Sequence, residues 1–223
     1  MMIDVAHELR TPLTNIRGYL EALTDGVVSP SKQTIELLQE ETFRLGQLVE
    51  DILRLAKADA AKANIQKVEV QIVDLITQML DSFRSQLEAK EIKVETDFVD
   101  REIKVWADPK QLSQVMHNLL QNTCQYANSG GTLMISTESM PGAIKVVFAN
   151  TGGELAEQDL PFIFERFYRG EKSRSREHGG AGIGLAIVKE LVDAHGGSVS
   201  AELVHGRTRI WFDLPIDQRR RAD

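Results

Sequence analysis

At 223 residues the chain has room for one large domain or two modest ones, each with its own core. A formal net charge of -7 supplies no global basic field, which argues against nucleic acid as a partner, and 42% hydrophobic with 26% charged residues is ordinary for a water-soluble protein. The single cysteine, Cys124, excludes an internal disulfide and a thiolate zinc cage and fits a reducing compartment.

The first predicted element is a helix. Met2, Ala6, Leu9, Leu13, Ile16, Leu20 and Leu23 recur in steps of four and three, the seam of a helix packed in a bundle. His7, Glu8 and Thr11 lie beside that seam and place an imidazole, a carboxylate and a hydroxyl within about one helical turn. Pro12 removes a backbone donor and should bend the helix without ending the heptad. Gly26 can stop it, and Ser29-Pro30-Ser31 makes a turn before a second helix with Ile35, Leu38, Thr42, Leu45, Val49, Ile52 and Ala56 in the same alternation. Two such helices joined by a short loop predict an antiparallel hairpin. Its apolar seam is wet unless two copies pair into a four-helix bundle or the hairpin packs on the second domain of its own chain. The heptad is already in phase at Met2, so the natural helix is expected to begin upstream and the chain to be a truncated, soluble cytoplasmic core; the residues leave open whether its parent is anchored to a membrane through a missing N-terminal part. No apolar run approaches the roughly 20 residues needed to span a bilayer.

Residues 1–64 thus form a helical domain, 65–217 a second domain and 218–223 a tail, in which Arg219-Arg220-Arg221 reads as a solvated run. In the second domain Val68–Val73 reads as a strand and Asp74–Lys90 as a helix, followed by Lys93–Val99 and Glu102–Ala107 as a strand pair around Asp100-Arg101. Pro109–Tyr126 is helical, Thr132–Ser139 and Ala143–Asn150 are strands, and Ile183–His195 is a helix closed by Gly196-Gly197. Ser198–Val204 and Arg209–Leu214 complete the sheet. This pattern predicts an α+β chain: the hairpin, then a two-layer sandwich with a mixed sheet covered on one face by helices. The stretch from Thr151 to Gly182 is too long for a plain connection and reads as a lid or binding loop.

Three further features carry chemistry. Asn118 and Asn122 are one turn apart on a predicted helix and share a face, and an amide oxygen is a hard neutral ligand suited to magnesium that already holds phosphate oxygens. Gly179-Gly180-Ala181-Gly182-Ile183-Gly184-Leu185 opens a helix, so its backbone can approach phosphate closely and present free amides. No strand immediately precedes that loop, which excludes the dinucleotide-binding arrangement. Asn150-Thr151-Gly152-Gly153-Glu154 directly follows a strand.

His7-Glu8-Leu9-Arg10-Thr11-Pro12-Leu13 resembles the phospho-acceptor box of sensor histidine kinases, and the later motifs follow in that family's order. Asn118 to Asn122 resembles its asparagine box, which implies that Asn122 holds the metal and that Tyr126 can stack on adenine. Asn150 and Gly152 stand at its first glycine box, where the family has an aspartate that accepts from the adenine amine. Phe162 to Arg169 resembles its phenylalanine box, with Arg169 reaching phosphate. Gly180, Gly182, Gly184 and Leu185 match the second glycine box. Gln125, Asn150 and Glu154 depart from the pattern, standing for a frequent lysine, the aspartate and a glycine. The resemblance implies a dimerising hairpin followed by the ATP-binding sandwich of the histidine kinase, Hsp90, gyrase and MutL type.

The function so implied is ATP-dependent and magnesium-dependent autophosphorylation of His7, with Glu8 holding the ring or taking its proton, and transfer to an aspartate of a response regulator. Thr11 would position water for the reverse, phosphatase reaction. The alternative is a pseudokinase, a dimeric docking module that binds nucleotide poorly; an ATPase clamp needs neither His7 nor the hairpin.

Overall fold

A computed structural model of the chain describes residues 2–61, 65–152, 155–168, 170 and 182–216, without the side chains at 2–5, 7, 8, 51 and 57–61. The expected lid residues 171–181, together with Gly153, Glu154 and Arg169, lie outside the described residues. Two compact units divide the chain, Met1–Lys57 and Ala58–Asp223.

The first unit is a helical hairpin of α1 (Met2–Thr24) and α2 (Lys32–Ala61), and α1 runs unbroken through Pro12. Its end is a Schellman motif: Gly26 takes a φ of 70°, its N–H reaches Leu23 O at 3.3 Å, and Val27 N–H reaches Ala22 O at 2.9 Å. Ser31 restarts the chain as an N-cap, its hydroxyl accepting from Thr34 N–H at 3.2 Å.

The expected seam is corrected by one row. The shielded positions are Leu9, Pro12, Ile16, Tyr19 and Leu23 on α1, and Thr34, Leu38, Glu41, Leu45, Leu48, Ile52 and Leu55 on α2. Leu9, Ile16, Leu23, Leu38, Leu45 and Ile52 are shared with the sequence reading, whereas Leu13 (51% exposed), Leu20 (50%), Ile35 (53%) and Val49 (44%) face solvent. The cause is chemical. Pro12, Tyr19, Thr34 and Glu41 do not register as apolar, so a search for hydrophobic periodicity settles on the neighbouring stripe. Glu41 Oε1 accepts from Asn15 Nδ2 at 2.9 Å, while its Oε2 is buried with no hydrogen-bond partner among the described residues.

In the second unit β1 (Val68–Gln71) passes directly into α3 (Ile72–Ala89). The helix starts two residues earlier than expected because Ile72 and Val73 join Ile76, Phe83 and Leu87 on its buried face. Next come β2 (Lys93–Phe98), β3 (Lys104–Ala107), α4 (Pro109–Tyr126), β4 (Thr132–Met140) and β5 (Ala143–Thr151). A short 3-10 turn at Glu157–Asp159, α5 (Gly184–Ala194), β6 (Val199–Val204) and β7 (Arg207–Pro215) complete it.

The expected hairpin of β2 with β3 does not form. β2 runs parallel to β4, with Lys93 opposite Thr132 and Phe98 opposite Thr137, while β3 pairs antiparallel with β1, Val68 opposite Ala107. The turn chemistry was legible, since Asp100 Oδ1 does accept from Glu102 N–H at 2.8 Å, but a turn does not choose strand partners. The main sheet has five strands in the order β2-β4-β5-β7-β6. Leu133, Ile135, Ile144, Val146, Phe148, Ile210, Phe212 and Leu214 line its buried face, and α4 packs between α3 and α5 in the helical layer. Among the described residues no helix is long and apolar enough to cross a membrane.

The exit of β2 provides a test of this pairing. Thr137 is buried in β4 and its hydroxyl accepts from Val99 N–H at 3.1 Å. Thr137→Val removes that acceptor and is expected to cost about 0.5–1.5 kcal/mol in denaturant unfolding. An unchanged midpoint would show that the β2 end is held otherwise.

Candidate functional site

α4 begins at Asp108, whose Oδ1 accepts from Lys110 N–H at 2.9 Å and Gln111 N–H at 3.3 Å, with Pro109 at the first helical position where no N–H is needed. Burial works against the Asp108 charge, but these two donors and Gln66 N–H, which reaches Oδ2 at 3.0 Å, together hold its carboxyl below the ordinary value. The helix so anchored buries Leu112, Val115, Met116, Leu119 and Leu120, and this orients both asparagines. Asn118 is buried; its Oδ1 accepts from Gln114 Nε2 at 3.1 Å, while its Nδ2 is buried with no hydrogen-bond partner among the described residues. Asn122, one turn on, and Tyr126, the last residue of α4, are half-buried. Gln125 carries no cation, yet Lys90 Nζ reaches its backbone oxygen at 3.4 Å, so a positive charge does stand at this turn.

Asn150 lies near the end of β5 on the helix-facing side of the sheet, 4% exposed, and no hydrogen bond of its side chain to a described residue is found. Register places it between Leu133 of β4 and Thr208 of β7. Thr208 is itself buried, with Oγ1 at 3.5 Å from Gly152 O. Sequence reasoning passed over Thr208 because nothing local marks it; only the β5–β7 pairing brings it beside Asn150. Gly152 takes a φ of 83°, and a Cβ there would lie 2.3–2.6 Å from the Asn128 amide, so the backbone needs glycine twice over.

Gly182 leads into α5 with a φ of 73°, and a Cβ on it would stand 2.5 Å from Tyr168 O. Its carbonyl accepts from Phe167 N–H at 3.0 Å, which ties the aromatic segment to the start of α5. That segment is pinned twice more, by Tyr168 Oη donating to Asp159 Oδ1 at 2.6 Å and by the Arg166–Glu190 ion pair at 3.0 Å. α5 starts at exposed Gly184, with Leu185 half-buried, and no side chain caps it. Its first-turn N–H groups therefore remain able to meet an anion.

For the acceptor helix the structure places exposed Thr11 one turn beyond His7 on α1. The side chains of His7 and Glu8, and the residues Arg169 and Gly180, lie outside the described residues. A separate cavity of about 490 Å³, lined by Met134, Ser136, Val147, Ala149 and Arg207 among others, opens on the opposite sheet face and includes none of these groups.

Two family models match the chain: residues 1–61 match the His Kinase A (phospho-acceptor) domain, and residues 107–218 match the histidine kinase-, DNA gyrase B-, and HSP90-like ATPase. The signal transduction histidine-protein kinase BaeS of Escherichia coli K12 is 37% identical over 97% of this chain and 46% of its own length. The sensor histidine kinase WalK of Bacillus subtilis 168 is 35% identical over 99% of this chain and 37% of its own. The chain thus spans less than half the length of these curated relatives. Among solved structures, histidine kinase ThkA in complex with the response regulator protein TrrA superposes with a TM-score of 0.74 at 25% identity, covering 97% of this chain and 61% of that one.

Proposed function

This chain belongs to the histidine kinases, and from that membership we propose that it is the autokinase core of a sensor protein, which phosphorylates itself on His7 from ATP and passes the phosphoryl group to an aspartate of a response regulator. The observation that carries the reading is the joint placement of a phospho-acceptor helix and an ATPase sandwich in one chain. ThkA, the structural relative, is itself seen bound to a response regulator. Residues 1–64 are assigned to dimerisation and phosphotransfer, 65–217 to nucleotide binding and 218–223 to a tail.

In this reading one ring nitrogen of His7 attacks the γ-phosphorus in line, the bond to the β,γ-bridging oxygen breaks, and ADP leaves with that electron pair. The proton on the other ring nitrogen is then free to pass to Glu8 or to water. Thr11 orients water for the reverse hydrolysis. Asn150 reads adenine, accepting from its amine through Oδ1, with Thr208 beside it. Tyr126 packs against the base. Gly152, Gly180, Gly182, Gly184 and Leu185 let the backbone and the uncapped start of α5 approach phosphate, and Arg169 adds a cation.

Asn118 and Asn122 suit a magnesium ion that arrives with the nucleotide. Among the described residues no group of three or more His, Cys, Asp or Glu gathers, whereas two neutral amides, Asn118 buried and Asn122 half-buried, share one helix face. Asn122 would hold that ion, which would supply positive charge beside the phosphate oxygens.

Three outcomes test the proposal. Incubation with γ-labelled Mg-ATP should put an acid-labile, alkali-stable label on the protein that His7→Gln abolishes while nucleotide binding is kept; label surviving on that variant would mean another acceptor. The exposed row containing Leu13, Leu20, Ile35 and Val49 is apolar enough to be covered by a second hairpin. Leu20→Lys should accordingly halve the mass seen by light scattering, and a dimer that persists would place the interface elsewhere. At the base, a neutral amide in place of a carboxylate should weaken the contact by about 1 kcal/mol. Asn150→Asp should therefore tighten a non-hydrolysable ATP analogue about fivefold in titration calorimetry. Absence of binding by either form would favour a pure docking module.

A further inference from the structure

The ends of α4 and α5 remote from the candidate nucleotide residues are joined through one ring. His195 caps the C-terminus of α5 and is 2% exposed. Its Nδ1 lies 2.7 Å from Leu191 O, and its Nε2 accepts from Asp108 N–H at 3.0 Å. A carbonyl only accepts, so Nδ1 carries the proton; a backbone N–H only donates, so Nε2 holds a lone pair. The imidazole is thereby fixed as a neutral single tautomer. Asp108 is the N-cap of α4, and its other carboxylate oxygen holds Gln66 N–H, while Lys67 Nζ reaches His195 O at 3.4 Å. The ring thus joins the end of α5, the head of α4 and the segment leading into β1.

The two helices pack along each other with the C-terminus of α5 at the N-terminus of α4, hence antiparallel. At 1.5 Å per residue, Asn118 lies about 15 Å along α4 from this junction and Gly184 about 16 Å along α5. They are the working ends of two arms of nearly equal length that leave one pivot in the same direction. A tilt of a few degrees at the pivot moves either end by about 1 Å, an error large enough to spoil alignment for phosphoryl transfer.

We propose that His195 is a positioning residue: its neutral imidazole holds α4 and α5 in register so that the asparagine pair and the first-turn amides of α5 address one nucleotide. The inference rests on the reading of those groups as nucleotide ligands. A proton added at Nε2 would set donor against donor and release Asp108 N–H. The charged groups that face the ring are Lys67, which opposes protonation, and Asp108, which favours it. Burial outweighs both and pushes the imidazole below its ordinary value. The contribution of the neutral ring is therefore complete above the unfolded value near 6.5 and is lost as pH falls toward and through the folded value.

The experiment compares the full chain with His195→Gln, whose amide oxygen can still accept at the place of Nε2, and with His195→Leu, which fills the space without an acceptor. Affinity for a non-hydrolysable ATP analogue is titrated at pH 7.5 and at the lowest pH at which wild type remains folded, with the folded fraction of each protein set from its unfolding curve. The expected result is that the leucine variant binds about tenfold more weakly at pH 7.5 while the glutamine variant stays within about threefold of wild type. Between the two pH values wild-type affinity should fall more than that of the glutamine variant, which carries no titrating ring. A leucine variant that is less stable yet binds as wild type does would reduce His195 to a structural role and overturn the proposal. If the leucine variant fails to fold, equal pH profiles for wild type and the glutamine variant overturn it as well. Wild type that binds no nucleotide would instead sink the underlying reading of the site.

Discussion

The antiparallel pairing of β5 with β7 is the constraint on which the nucleotide unit depends. β7 alternates, β5 is buried on both faces from Val146 to Asn150, and in their register Ile144, Val146 and Phe148 stand opposite Leu214, Phe212 and Ile210 on the face that the helices cover. A slip of one residue would turn every one of these side chains to the opposite face, so burial of that row enforces the register. The same row carries the buried polar pair Asn150 and Thr208 at its end. Core packing and site assembly are therefore one event. The residues that would read a base are held in place by the strands that cannot move without opening the core.

The hairpin solves a different problem. Two antiparallel helices shield from water only the rows that face each other. The row left over, Leu13 and Leu20 on α1 with Ile35 and Val49 on α2, has no structural purpose in a lone hairpin. An apolar stripe of this kind on a helix pair has the character of an interface. His7 and Thr11 lie toward one end of α1, which continues through Pro12, so the proposed acceptor is carried on a helix and not on a loop.

Departures from the family pattern find partial compensation in the fold. Gln125 replaces a cation, yet Lys90 from the end of α3 is brought to the same turn of α4. Asn150 replaces a carboxylate and loses its charge, but an amide both donates and accepts, and the adjacent Thr208 hydroxyl adds a second adaptable group. The aromatic segment from Phe162 to Tyr168 is held by Asp159–Tyr168 and Arg166–Glu190, pairs that anchor it on the body of the domain.

The sequence by itself determined what is written within a few residues. The bounds of α4 follow from Asp108-Pro109 at one end and the loss of apolar periodicity after Tyr126 at the other, and the stop at Gly26 follows from its need for a positive φ. The proposed acceptor histidine, the asparagine pair and the glycine loop are likewise readings from spacing and resemblance. Tertiary structure alone decided who pairs with whom. Val99 turns at Asp100 as its local chemistry asks, yet β2 joins β4 and β3 joins β1, because partner choice is made by burial across the whole sheet. Pro12, Tyr19, Thr34 and Glu41 enter the hairpin interior despite their chemistry, because position on the helix and not residue type sets which row is shielded. Thr208 and His195 become meaningful only through contacts with residues 58 and 87 positions away, Asn150 and Asp108. Such contacts leave no periodic or local trace, since the free energy that selects them comes from closing long loops around a shared core.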